Sequence, residues 1–201
     1  MFGPILRGTL VTLRPPNPEE TKLFVEWLGD ADVTRYLLRR MPPALHEEEE
    51  FFKRIAESKN DVWWVLAVGE KPVGAIGIHG IDWINAHATT GIMIGDKSYW
   101  GRGIAGEAMQ LRTRFAFGEL NLHKLKSYAI VENEASRRAL ERAGYKTVGT
   151  FREEQWIDGA WHDMWIGEVV REEWEREHGS MSSRPQDSHT VSTRASRSLK
   201  P

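Results

Sequence analysis

The chain contains no cysteine. That excludes a disulfide framework, a Cys-ligated zinc or iron–sulfur site, and any cysteine nucleophile. No apolar run approaches the roughly 18 residues that a membrane span needs. The opening residues, MFGPILRG, lack a basic stretch ahead of a long apolar one and do not read as a secretory signal. These absences together point to the cytoplasm. A basic surplus is missing as well. Residues 180–201 carry four basic residues and one acid, and the remaining body carries 23 basic against 28 acidic. An acidic body argues against a nucleic-acid footprint, which needs a basic patch. It suits a cationic small substrate as a field effect.

What is present is an ordinary globular composition, 40% hydrophobic and 28% charged, in 201 residues. The nine tryptophans suit core and cleft packing. The segment 179–201 is rich in Ser, Thr and Arg and too poor in apolar residues to offset its ordering entropy, so it reads as a disordered tail behind one domain over 1–178.

Periodicity predicts a first strand over 5–14, stopped by Pro15, Pro16 and Pro18. A helix follows from Asn17 or Pro18 to about Leu28, and a short one after Asp30. Residues 45–57 read as a helix with Leu45, Phe51, Phe52 and Ile55 inward. Strands are expected over 61–68, 73–84 and 88–95. Residues 104–117 form an amphipathic helix with Ile104, Ala105, Ala108, Leu111, Phe115 and Ala116 on one stripe. A strand over 123–131, a helix capped by Asn133 and closed by Gly144, and strands 145–157 and 160–170 complete the body. The last two are joined by Asp158-Gly159, the best hairpin signal in the chain. A short helix, REEWEREH, precedes the tail. The early strands are hairpin-linked and the unit 91–131 makes one parallel crossover. The fold class is therefore α/β (α+β), with a mixed sheet of about seven strands flanked by helices.

Tyr99-Trp100-Gly101-Arg102-Gly103-Ile104-Ala105-Gly106 connects a strand to a helix. Its glycines expose backbone N–H groups at a helix N-terminus, which suits a phosphate or pyrophosphate, with Arg102 as a cationic contact. A plain turn with close packing is the alternative. A Walker loop needs G-K-[S/T], which is missing. Gly101-x-Gly103-x-x-Gly106 matches the dinucleotide fingerprint literally, but a loop from Asp96 to Gly101 intervenes where a Rossmann turn would follow its strand directly.

The segment GIMIGDKSYWGRGIAGEA (91–108) resembles motif A of the GNAT acetyltransferases, in their RimJ/RimL-like branch. NEASRRALERAGY (133–145) resembles motif B, and REEQWIDGAWHDMWIGEVVREEW (152–174) resembles that branch's closing hairpin and helix. The resemblance spans residues 5–178. It implies a single GNAT-like domain that binds acetyl-CoA between two splayed parallel strands, with no metal. The backbone of Ile92, Met93 and Ile94 would meet the pantetheine arm. The N–H groups of Arg102, Gly103, Ile104, Ala105 and Gly106 would hold the pyrophosphate, with Trp100 where the usual pattern has Gln or Arg. Asn133 and Ser136 would meet the pantetheine and cysteamine end. A strand N–H near Met93 or Ile94 would serve as oxyanion donor, and Ile94 is taken as catalytic on that ground. Similar proteins are commonly dimers, so a homodimer is implied too.

Acetyl transfer to an amine needs a neutral, placed amine, a donor for the oxyanion, and a proton for the leaving thiolate. Many relatives have a tyrosine seven residues after the motif B asparagine; here that position is Leu140. Ser136 is the substitute, with Tyr128 and Tyr145 as further candidates that are expected to be packed. A glutamate base of some relatives falls at Thr89. His79 follows a strand end near the expected cleft and titrates in the right range; its alternative is a sheet histidine bonded to backbone. His79, Asp82 and His87 lack the tight spacing of metal ligands. His162-Asp163 reads as sheet support. The acidic run Glu47 to Glu50 reads as a solvated, dipole-favoured face, or else as the acidic lip of an amine-binding cleft.

Three functions follow in order. The first is an acetyl-CoA-dependent N-acetyltransferase acting on a primary amine, a protein N-terminus, polyamine, amino acid or similar small amine, by direct attack in a ternary complex. The second is a non-catalytic acyl-CoA-binding module. The third is an NAD(P)-binding oxidoreductase. No nucleic acid or membrane partner is expected.

Overall fold

The computed structural model describes residues 1–37, 39 and 41–179. The expected tail lies outside them except for Gly179. Eight strands form one sheet: β1 (Leu6–Arg7), β2 (Thr12–Arg14), β3 (Val62–Val68), β4 (Lys71–Asp82), β5 (His87–Ile94), β6 (Lys124–Ile130), β7 (Lys146–Ile157) and β8 (Ala160–Val170). Their order is β1-β2-β3-β4-β5-β6-β8-β7. The helices are α1 (Thr21–Gly29), α2 (Ala31–Thr34), α3 (Leu45–Glu57), α4 (Ile104–Gly118), α5 (Glu134–Arg142) and α6 (Arg171–His178).

The strand β3, VWWVLAV, carries no polar residue because both its faces are covered. Val62, Trp64 and Leu66 join Ala108 and Met109 of α4, Leu140 of α5 and Trp174 of α6 in the larger core. Trp63 and Val65 turn the other way, onto Phe24 and Trp27 of α1 and Phe52 and Ile55 of α3. The sheet thus separates a layer holding α4, α5 and α6 from one holding α1, α2 and α3.

All pairings between these eight strands are antiparallel except β5 with β6, the crossover expected from the sequence. The hairpin joining β7 and β8 turns at Asp158 (φ 49°) and Gly159 (φ 81°), the two positive φ values of a type I′ turn.

Three expectations are corrected. Residues 5–14 form two strands, with Leu6 opposite Leu13 and Arg7 opposite Thr12. The chain reverses because the Glu107 carboxylate, on the first turns of α4, accepts the N–H groups of Thr9, Leu10 and Val11 at 2.7–2.9 Å. The inward stripe of α3 runs through Glu48, Phe52 and Ile55, and Leu45 is exposed. The inward stripe of α4 runs through Ile104, Ala108 and Ala116 as expected, and also through Met109, Arg112, Thr113 and Phe117, while Ala105, Leu111 and Phe115 are only half-buried.

Candidate active site

β5 and β6 pair over four positions only, His87 with Lys124 through Thr90 with Ser127. Beyond Thr90, β5 stays paired with β4 up to Ile94 opposite Gly74, and β6 stays paired with β8 up to Ile130 opposite Met164. The two parallel strands therefore part, leaving Gly91–Ile94 and Tyr128–Ile130 on the sides of a V. Peptide groups alternate sides along a strand. The Thr90 carbonyl faces β6, where the Ser127 hydroxyl donates to it at 3.3 Å. The Gly95 N–H faces β4 and donates to Val73 O at 2.9 Å. Ile92 and Ile94 accordingly turn their peptide groups into the V. Met93 turns its own toward β4 and places its side chain on the α1–α3 face.

The loop after β5 is closed by short contacts. Asp96 caps a 3₁₀ turn at Lys97–Tyr99 by accepting from Ser98 N (2.9 Å) and Ser98 Oγ (2.6 Å). Lys71 Nζ lies 2.8 Å from its other oxygen. These bonds, Lys71 first, hold the Asp96 carboxyl down to about 2. Trp100 Nε1 donates to Ile94 O at 2.9 Å and folds the loop back on the strand. Gly103 is the N-cap of α4 at φ 81°, and the first intrahelical bond is Glu107 N to Gly103 O. The preceding N–H groups of Ile104, Ala105 and Gly106 thus form the helix's free N-terminal donor set. A Cβ at Gly101 or Gly106 would meet nothing within 4 Å. The open cradle, the donors and the adjoining V fit a pyrophosphate with a pantetheine arm.

On the other face a cavity of about 440 Å³ lies between α1, α3 and the sheet. Phe24, Phe51 and Trp63 give it aromatic walls, and Met93, Glu48 and His79 also line it. Glu48 is 3% exposed. Burial pushes its carboxyl above the ordinary value, against the pull of Arg39 and Arg54; Arg39 Nη1 stands 4.0 Å away. Of the acidic run, Glu47 caps α3 by accepting from Ala44 N at 2.7 Å. The run is therefore not a uniformly solvated face. The His79 ring lies over Gly77 and Gly91, which are partners across β4 and β5: a Cβ at Gly77 would stand 2.5 Å from the ring, one at Gly91 3.6 Å. Burial holds the imidazole below its ordinary value, opposed by Asp61, whose Oδ1 is 3.7 Å from Nδ1, and assisted by Arg112.

Asn133 caps α5, its Oδ1 accepting from Ser136 N at 3.1 Å. Ser136 is half-buried on that first turn, and Leu140, one turn on, is buried. Tyr145 is packed as expected, its hydroxyl 3.0 Å from both Thr90 Oγ1 and Arg112 Nη2. Tyr128 is 39% exposed rather than packed. Strand alternation places it on the same face as Lys126 and, across the V, level with Gly91. His162 pairs with Glu132 at 3.0 Å, and Asp163 accepts from Glu153 N at 2.8 Å where β7 bulges, a supporting role for both. Among the described residues no group of three or more metal-binding side chains is gathered; His87 turns to Asp82 at 3.9 Å. The sequence reading missed Glu48 as an individual residue and Arg112 altogether.

Residues 11–146 match the family model described as the acetyltransferase (GNAT) domain. The chain belongs to the GNAT acetyltransferases. It is 35% identical over 104 residues to YdaF of Bacillus subtilis (strain 168), provisionally named a ribosomal N-acetyltransferase. That match covers 52% of this chain and 56% of YdaF. The spermidine N-acetyltransferase from Vibrio cholerae, solved with CoA and spermine, superposes with a TM-score of 0.78 at 20% identity, covering 83% of this chain and 99% of that one. RimL, a ribosomal L7/L12 α-N-protein acetyltransferase solved with coenzyme A, does so at 0.75 and 16% identity, covering 83% and 97%. The fold is the GNAT fold, and the family consists of acetyl-CoA-dependent N-acetyltransferases with acetyl-CoA as co-substrate. No described helix is long and apolar enough to cross a membrane.

Proposed function

We propose that this GNAT protein acetylates a primary amine that enters the cavity between α1, α3 and the sheet and attacks acetyl-CoA directly in a ternary complex. The observation that carries this reading is the buried Glu48 carboxylate inside an aromatic cavity that reaches Gly91 and Ile92 at the V. A desolvated carboxylate among aromatic faces attracts an ammonium strongly. An ammonium is no nucleophile, so the attacking nitrogen must lose its proton. His79, held neutral by burial, is the base on the cavity wall.

The backbone of Ile92 and Ile94 would hold the pantetheine arm in the V. The N–H groups of Arg102 to Gly106 would receive the pyrophosphate. The Ile94 N–H is the oxyanion donor this geometry offers. As the nitrogen–carbon bond forms and the carbon–sulfur bond breaks, the Ser136 hydroxyl, beside Asn133, would hand its proton to the leaving thiolate while taking one from solvent, and the amine's proton goes to His79. The polyamine acetylated by the Vibrio relative and the protein N-terminus acetylated by RimL are both primary amines, which supports the acceptor class.

The test is thiol release from acetyl-CoA across polyamines, free amino acids, aminoglycosides and peptides with varied N-termini. Release with one class, lost in Glu48→Ala, is the expected result. No release from a folded protein that binds acetyl-CoA would overturn the reading.

A further inference from the structure

Arg112 is fully buried, at 0% exposure. Its Nη2 donates to Tyr145 Oη at 3.0 Å and its Nη1 lies 3.4 Å from Gly91 O, while Nε has no partner. Among the described residues no carboxylate pairs with it. An uncompensated buried guanidinium is costly, so such a group persists only where something else offsets the cost. Its place in the fold suggests what that is. Arg112 reaches Gly91 from the α4 side of the sheet, and His79 lies over the same Gly91, and over Gly77, on the opposite side. Neither glycine has a side chain, so a single layer of backbone separates a fixed positive charge from an imidazole.

We propose that Arg112 is a positioning residue for acetyl transfer: from beneath the Gly77–Gly91 pair, its charge adds to burial in keeping the His79 imidazole neutral and able to accept the proton of the amine. This rests on the reading of His79 as base. The other groups facing His79 act in both directions. Asp61 favours the imidazolium from beside the ring, and the Met1 ammonium, 2.7 Å from Asp61 O, offsets part of that. Glu48 and Arg39 line the same cavity with opposite charges. Lys126 stands on the same face beyond Thr89. Asp61 and Arg112 therefore oppose each other across the ring. Burial is the larger force on the ring; without Arg112 it would stand alone against the carboxylate, and the ring would hold its proton to a higher pH. The direction of the His79 shift, in which Arg112 has a part, agrees.

The experiment is an NMR titration of the His79 ring in the full chain, beside a pH profile of kcat/KM. In the unsubstituted protein His79 should titrate below about 6.5, the ordinary value. Arg112→Met should raise it by about one pH unit, the size of a unit charge acting over several ångströms at an intermediate dielectric. Arg112→Lys should leave it close to the parent value. Arg112→Gln, which keeps a donor for Gly91 O and Tyr145, should behave as Arg112→Met and serves if the methionine variant does not fold. A parent His79 that titrates at or above the ordinary value overturns the proposal, as does an unmoved value in a folded Met or Gln variant. The acidic limb of kcat/KM should follow the ring. If the ring shifts and the limb stays, the electrostatic role of Arg112 stands and His79 is not the base.

Discussion

Lys97 Nζ lies 2.7 Å from Asp30 Oδ2, which ties the loop after β5 to the residue that caps α2. Asp32 takes the same ammonium at 2.9 Å. The donor set at the start of α4 and the helices over the acceptor cavity are thereby joined through one side chain. Exposed pairs are screened by solvent and add little to stability, so Lys97→Ala should change the melting temperature little. It should instead raise the amine KM several-fold, because the entry to α2 is no longer held. Steady-state kinetics at low and high salt check this: the parent should approach the variant as salt screens the pair.

Gly103→Glu should abolish acetyl-CoA binding. The substitution puts an acid where the pyrophosphate would lie, and it puts a side chain at φ 81°, a conformation that favours glycine. Calorimetric titration of the folded variant with acetyl-CoA is the measurement, and normal affinity would remove the loop from the site.

Ser136→Ala should lower kcat about a hundredfold or more, the scale of a lost general acid, with a much smaller loss of acetyl-CoA affinity. Tyr128→Phe provides the comparison, since that residue stands on the β6 side of the V. A kcat drop in Tyr128→Phe alone would transfer the proton-donor role to the tyrosine.

Glu48→Gln should stabilise the free protein and impair it as an enzyme. Burial raises the Glu48 carboxyl in the folded state. The favourable, protonated condition is therefore fully present below the ordinary value of 4.5 and is lost as pH rises through the raised one. At pH 7 the variant should gain about 1 kcal/mol, and the gain should vanish near pH 4. Arg39, left without its partner, is exposed enough to be solvated. The amine KM should rise at least tenfold. Denaturant unfolding at the two pH values, with kinetics at neutral pH, checks both halves.

The sheet's order of elements was legible because its signals are local. Asp158-Gly159 needs only its own backbone, and Asn133 caps α5 from within one turn. The reversal at residues 8–11 was not, because the carboxylate that fixes it belongs to Glu107, nearly a hundred positions away. Glu48 hid in a run of four acids, where composition says solvent and only the packing of α3 picks out the one that faces inward. Arg112 hid for the same reason, since a charged residue shifts an apolar stripe away from itself. The open backbone of the loop at Gly101–Gly106 was readable because it is written in residue type. The proposed acceptor side is built from side chains brought together by α1 and α3, and no spacing encodes it.

The four-position seam between β5 and β6 has a mechanical consequence. It is where β1–β5 are zipped to β6–β8, and the strands are free of one another beyond it. A linear ligand lying in the V would act as a short surrogate strand, extending the zipper by bonds that the polypeptide does not supply. Amide hydrogen exchange at Ile92 and Ile94 should then slow on adding coenzyme A, and the two half-sheets, loosely coupled without it, should open together as one cooperative unit.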